Sequence, residues 1–272
     1  MLPLASTQEP MSTDEFKRAV NQGLSAFIKL PRAGYAVIME GDFPGDLDSL
    51  TIDLNGAIAD PSKRPEPPSF RSGSRPAFIA RKFHLHALPL RVGIAPLDFE
   101  LSAEQMKFDY RSETSGKLWL VPNAEQPANA GRVHLSLKQR DLQEMLLSGI
   151  APAAKEYGVG IEDVQLKLDQ RGPRKIRAEL QASAKKFMMK AAVHLGATVE
   201  IDDELNATVS ELNAGSEGMI GTMVSTLIGP KLQQYNGHKV SLAAASLGGL
   251  RLRDLQIRIT DSIQIDAQFG TG

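Results

Sequence analysis

The sequence predicts an α+β fold in which a long curved antiparallel sheet wraps around two long amphipathic helices. Long stretches alternate between apolar and other residues, which is typical of strands with one buried face. Two segments carry apolar stripes at helical spacing. The strands follow one another in hairpin-like groups instead of alternating with helices, and this order favours an antiparallel sheet over a parallel one.

The longest alternating stretch spans residues 185–202. Its apolar side chains recur at every second position from Phe187 to Ile201. At roughly 3.3 Å per residue, an unbroken strand would present an apolar face on the order of 50 Å long. Such a face needs a helix, a second sheet or an apolar ligand to cover it. A bent strand of an ordinary sheet, split at Gly196, is an equally simple explanation.

Two segments in the second half of the chain are predicted to be the covering helices. They are residues 137–158 and residues 217–237. Their apolar stripes include Met145, Ile150, Met223 and Leu227. A shorter helix is predicted to begin at Ser12 or Thr13, because either hydroxyl can cap the first turn.

The chain is expected to form one domain. Residues 1–11 are predicted to be a flexible tail, and residues 12–270 a single α+β domain. Residues 61–76 contain five prolines and are predicted to form an exposed loop within it.

Composition excludes several classes of protein. The 31 basic and 32 acidic residues give a net charge of −1, so no strong basic field is available for nucleic acid. The absence of cysteine excludes disulfides and thiolate metal sites. No segment reaches the roughly 18 apolar residues of a membrane-spanning helix, and the start lacks the pattern of a signal peptide. A cytoplasmic location is the default, and the periplasm or envelope would apply if the N-terminus were trimmed.

Motifs for catalysis and cofactor binding are missing from the sequence. There is no nucleophile elbow, phosphate-binding loop, dinucleotide-binding glycine motif or zinc-protease motif. His84 and His86 would leave the same face of a strand and could form a metal-ligand pair, although a solvated pair is the simpler interpretation. We therefore predict no catalytic residue, no metal and no cofactor, and a protein that is not an enzyme.

The apolar residues themselves carry the functional prediction. Alanines on the predicted sheet face and methionines on the helices would leave an adaptable groove for an acyl chain, or would simply fill a packed core. The predicted lipid-binding residues are Met145, Ile150, Met189, Val193, Leu195, Met223 and Leu227. Basic residues surround apolar ones in the segment KKFMMK, a pattern that indicates contact with an anionic membrane surface, although a strand start with solvated lysines is the simpler interpretation. The predicted membrane-contact residues are Lys185, Lys186, Phe187, Met188 and Lys190.

The segments GRVHLSLKQRDLQEML and LRLRDLQIRITDSIQIDAQFG resemble the LmeA-like bacterial lipid-binding family, over roughly residues 80–270. The resemblance implies a tubular-lipid-binding (TULIP-like) fold, with an elongated apolar cavity, and a role in the bacterial cell envelope. We expect a lipid-binding or lipid-transfer protein whose partner is a phospholipid or another acyl-chain lipid. The alternative is a structural or interaction protein with a packed core and no ligand.

Overall fold

The computed structural model describes residues 1–31, 36–60, 68–156, 158–186, 189–217, 235–242 and 251–270. Of these residues, 61 % lie in strands and 13 % in helices. The helices are α1 (Thr13–Ser25) and α2 (Gln139–Glu156). The strands are β1 (Leu2–Leu4), β2 (Ile28–Lys29), β3 (Val37–Gly41), β4 (Leu47–Asp53), β5 (Ile58–Ala59), β6 (Arg75–Val92), β7 (Ala95–Ser112), β8 (Leu118–Pro122), β9 (Ala130–Lys138), β10 (Gly160–Gly172), β11 (Lys175–Lys186), β12 (Met189–Ile201), β13 (Asn206–Glu217), β14 (Lys239–Ser241), β15 (Leu252–Ile259) and β16 (Ser262–Gly270).

The chain divides into two compact units. The first unit consists of Met1–Ser136, Ala244–Leu255 and Ile265–Gly272. The second consists of Leu137–Ala243 and Gln256–Gln264.

The larger sheet is mixed in direction. Its main strand order is β15-β16-β9-β7-β6-β4-β3, and β8 joins it by pairing with β7. Most neighbours are antiparallel, but β4 and β5 both pair with β6 in parallel. A parallel pair needs a long connection, and residues 60–74 between β5 and β6 provide one. The expected purely antiparallel sheet is therefore wrong for this part of the chain.

Aromatic side chains form the centre of the first unit. The Phe16 ring of α1 is fully buried, with ring centroids 5.1 Å from Phe43 and 5.6 Å from Phe78. Phe78 in turn contacts Phe108 of β7 at 5.5 Å. Helix α1 begins as predicted, because the Ser12 side chain accepts a hydrogen bond from the backbone N–H of Glu15.

The extreme N-terminus is part of this core. Residues Leu2–Leu4 pair with β8, and the exposed fractions of the Leu2 and Leu4 side chains are only 6 % and 2 %. The backbone of Pro3 lies so close to Gly23 of α1 that a Cβ on Gly23 would meet the Pro3 carbonyl oxygen at 2.1 Å. Three residues of the expected tail at residues 1–11 thus form a strand, because two apolar side chains are enough to anchor a short segment.

The second unit contains a five-stranded antiparallel sheet in the order β10-β11-β12-β13-β14. Helix α2 packs along β10, and the side-chain amides of Gln139 and Gln143 both donate to the Leu166 carbonyl. At the far end of β10, the Gln170 amide donates to the Ile257 carbonyl and accepts from the Ile259 N–H, at 2.8 Å each.

The predicted sheet wrapped around two long helices is wrong. Helix α1 has 13 residues, α2 has 18, and strands dominate both units. The alternation correctly predicted strands, but a period of two does not show which element packs on their apolar face. Most of the second predicted helix, residues 217–237, lies outside the described residues, and its first residue, Glu217, ends β13. Residues 61–67 of the proline-rich loop also lie outside them.

Replacing Leu4 with alanine tests the buried N-terminus. We expect the first unit to lose about 2–5 kcal/mol of unfolding free energy, because the variant leaves a cavity in a packed core. Urea unfolding followed by fluorescence of Trp119 is suited to this, since the only tryptophan pairs with Pro3 across β1 and β8. The control is Met11→Ala, whose side chain is 71 % exposed. Equal stability of the two variants would contradict a structural role for β1.

Candidate functional site

One face of the five-stranded sheet is apolar across four strands. Residues opposite each other on neighbouring strands share a face, so the register defines the face row by row. The central row is Leu166, Leu180, Leu195 and Ala214. The adjacent rows contain Val164, Ala182 and Val193 on one side and Leu168, Ala178 and Ala197 on the other. The register therefore places the apolar residues of each strand in phase with those of its neighbour.

The middle of this apolar face is only partly covered. Leu180, Val193 and Leu195 are half-buried, whereas the inner side chains of the first unit, such as Leu50, are fully buried. Among the described elements outside its own strands, α2 packs along β10, and β15 is hydrogen-bonded to the far end of β10 through Gln170. The described part of the second unit therefore leaves apolar area available to a ligand or to another segment.

The structure places two of the predicted lipid-binding residues on one face. Val193 and Leu195 lie on the apolar face, and Met145 and Ile150 are half-buried on α2. The backbone of Met189 begins β12. Met223 and Leu227 lie outside the described residues.

The predicted membrane-contact segment forms the end of the β11–β12 hairpin. Lys186 pairs with Met189, which leaves Phe187 and Met188 as the connecting residues, and these two lie outside the described part of the chain. Lys185 is exposed, with its Nζ 3.9 Å from a carboxylate oxygen of Glu162. Lys185 pairs with Lys190 across the hairpin, so basic residues flank the connection on both strands.

The opposite face of the sheet carries a network of charged side chains. The Arg177 guanidinium donates to Glu179 at 2.9 Å and to Glu211 at 2.8 Å. The hydrogen bond from Arg177 lowers the pKa of Glu179 below its ordinary value. The pKa of Glu211 is also lowered, chiefly because the hydroxyl of Thr198 donates to it at 2.7 Å, and then because Arg177 lies close by.

A β-bulge aims Glu211 into this network. Between the pairs Thr198–Ser210 and Gly196–Asn213, two residues of β13 oppose one residue of β12. Glu211 adopts a φ of 52°, a left-handed conformation that is uncommon for a residue other than glycine. The hydroxyl that meets its carboxylate belongs to Thr198, which is buried.

Beside the network lies a groove of about 590 Å³, which we call the polar groove. Its volume is within the usual range for small-molecule sites. Its polar side chains are Gln143, Gln165, Lys167, Arg177, Glu179, Gln181, His194 and Asn213. The groove is not predictable from the alternation of β12, because the polar half of an alternating strand is normally only solvated.

The acidic turn after β12 is neutralised by nearby basic residues. Asp202 accepts from Lys239 at 2.8 Å and from the backbone N–H of Asn206 at 2.8 Å. The hydrogen bond from Lys239, followed by that from Asn206, lowers the pKa of Asp202 to about 2. Asp203 pairs with Arg174 at 3.2 Å. This turn is thus occupied by ion pairs of the protein itself.

The histidine pair predicted on β6 lines a small groove of the first unit. His84 and His86 share it with Glu100, Arg132 and His134. The Nδ1 of His134 lies 2.8 Å from the Asp266 carboxylate, and His86 lies 3.7 Å from Asp53. In the described part of the chain, no three histidine or carboxylate side chains are arranged to hold a metal ion.

The charge of Asp202 should make the second unit sensitive to acid. Because its folded pKa of about 2 lies below the ordinary value of 3.8, its ion pair stabilises the fold above that ordinary value and is lost as the pH falls towards 2. We expect Asp202→Asn to speed hydrogen exchange of the β12 and β13 amides at neutral pH, and the difference from the unsubstituted protein to shrink on acidification. The control is Asp203→Asn, whose side chain is fully exposed. A difference that persists at the acid end would refute this role.

No family model, curated protein or solved structure matches the chain. Among the described residues, no helix combines the length and the apolar character needed to cross a bilayer.

Proposed function

We propose that the protein is a lipid-binding or lipid-transfer protein that buries acyl chains against the apolar face of the five-stranded sheet, in the setting of the bacterial cell envelope. One observation carries the proposal: this face is continuous over four strands, yet Leu180, Val193 and Leu195 at its centre remain half-buried among the described residues. Contiguous apolar surface of this kind marks an interaction site.

The dimensions of the face suit an acyl chain. Its apolar positions on β11 run from Ile176 to Ala184, which is about 26 Å at roughly 3.3 Å per residue. Half of a bilayer's hydrocarbon core, the span of one acyl chain, is about 15 Å. The small side chains of the pairs Ala178–Ala197 and Ala184–Ala191 leave space above these parts of the face. Each buried CH₂ group would contribute about 0.8 kcal/mol.

A charge in the middle of the face should abolish lipid retention. We expect Val193→Glu to carry no lipid, because burying an acyl chain would strip water from an unpaired carboxylate. The measurement is organic extraction followed by lipid mass spectrometry, beside native mass spectrometry of the intact chain. The matched control is His194→Glu, which adds the same charge to the next residue, on the opposite face of β12.

Circular dichroism should establish that both glutamate variants are folded. If Val193→Glu fails to fold, Ala197→Phe provides a second route, because it keeps the face apolar but fills part of it. An unsubstituted protein that carries no lipid and takes up none from phospholipid vesicles would refute the proposal in favour of a packed interaction protein. Unchanged lipid content in folded Val193→Glu would refute the assignment of this face.

The β11–β12 hairpin is proposed to contact the membrane through its lysines. We expect the double variant Lys185→Gln, Lys186→Gln to bind phosphatidylglycerol vesicles about 30-fold more weakly, since each lysine near an anionic surface contributes about 1 kcal/mol. Vesicle co-sedimentation at low and high salt measures this. The double variant Lys29→Gln, Lys82→Gln removes two exposed lysines of the first unit and serves as the control. Equal binding by the two variants would contradict a role for the hairpin.

A further inference from the structure

We propose that the polar groove is a second binding site, which takes a neutral ligand rich in hydroxyl groups, of the saccharide class. The inference rests on the polar face of the sheet and does not depend on the proposed lipid function. The groove is lined by side chains from α2 and from four strands, β10 to β13, so its shape is set by the hydrogen-bonded sheet beneath it.

Carboxamides dominate the chemistry of the groove. A primary amide offers donors and an acceptor together, which matches adjacent hydroxyl groups that each donate and accept. Three of the four lining amides are already oriented by a bond from their nitrogen. Gln143 donates to the Leu166 carbonyl at 3.0 Å, Gln165 to Asp163 at 3.0 Å and Asn213 to the Glu211 carbonyl at 3.3 Å. Their carbonyl oxygens remain as acceptors that need little further ordering on binding.

Two further side chains are ready to bond a ligand. Gln181 and His194 are directly opposite each other on β11 and β12. Neither side chain has a hydrogen-bond partner within the described part of the chain, although both line the groove. Together they place an amide and an imidazole side by side in the middle of the sheet.

The balance of charge favours a neutral ligand over an anion. Arg177 is the best placed cation, but Glu179 and Glu211 both hold its guanidinium. Lys167 adds one positive charge, and it also faces Glu179 closely enough to lower the pKa of that carboxyl. Arg171 adds a third cation, 3.9 Å from Glu211 and 3.3 Å from Asp169. Three cations are thus matched by three carboxylates, and a phosphate in the groove would meet Glu179.

Gly196 keeps the floor of the groove open for the Asn213 side chain. A Cβ on Gly196 would lie 2.5 Å from Asn213 Oδ1, so alanine at this position has to push the amide aside. Gly196 is not at a positive φ, which means that Gly196→Ala alters the groove without straining the backbone. The variant therefore changes the position of a lining group while retaining every lining side chain.

The test is saturation-transfer NMR and calorimetric titration of the full chain with maltotriose and cellotriose, and with inorganic phosphate as an anionic comparison. We expect at least one trisaccharide to bind. Gln181→Ala should weaken it about three- to tenfold, the effect of losing one hydrogen bond, and Gly196→Ala should also weaken it. The matched control is Gln22→Ala, an exposed glutamine of α1, which should bind as the unsubstituted protein does.

Three results would overturn the proposal. The first is that neither trisaccharide binds to the folded, unsubstituted protein. The second is that a trisaccharide binds with the same affinity to folded Gln181→Ala and Gly196→Ala, which would place its site elsewhere. The third is that phosphate binds in the groove and competes with the trisaccharide, which would identify an anion site. Lipid extraction of the same preparations tests the acyl-chain proposal independently, so that either proposal can fail without the other.

Discussion

Both faces of the five-stranded sheet depend on one constraint. Neighbouring strands pair so that the apolar residues of each strand lie opposite the apolar residues of the next. With a side-chain period of two, a slip of one residue between β11 and β12 would move Leu195 and Val193 to the polar side. The tight turns fix the phase. In the turn after β12, Leu205 adopts a φ of 59°, its N–H bonds the Asp202 carbonyl, and its side chain is buried. One set of backbone hydrogen bonds thus creates an apolar face and a polar face together.

The bulge at Glu211 is one local departure from this register, and it redirects a side chain. An uninterrupted ladder would keep strict alternation along β13, whereas the extra residue redirects the Glu211 carboxylate towards Thr198 and Arg177. The cost of an unfavourable φ is offset by charge-assisted hydrogen bonds. The bulge therefore orients Arg177, and through it Glu179, beside the polar groove.

Alternation and capping residues predicted the local structure well. Strand β12 lies within the alternating stretch of residues 185–202, whose first two residues end β11, and α1 starts after its Ser12 cap as predicted. The pairing partners and directions of the strands could not be predicted from the sequence. The parallel pairing of β4 with β6, for example, does not alter the apolar alternation of either strand. Strand β1 was missed because three residues are too few to show a period.

The candidate sites were predictable to different degrees. The shared face of Val193 and Leu195 follows from their spacing alone. The polar groove does not, because it combines Gln143 of α2 with side chains from separate strands. Its position depends on how a helix packs along β10 and on a bulge in β13, and both are tertiary features.

The Gln170 side chain has a consequence for the chemical ageing of the protein. Its amide takes the place of a peptide group, because it donates a hydrogen bond to the Ile257 carbonyl and accepts one from the Ile259 N–H. Deamidation would change this side chain by a single atom in shape, yet it would exchange a donor for a second acceptor facing the Ile257 carbonyl oxygen. A slow, non-enzymatic reaction at one residue would therefore loosen the attachment of this segment to β10 while leaving the composition of the core unchanged.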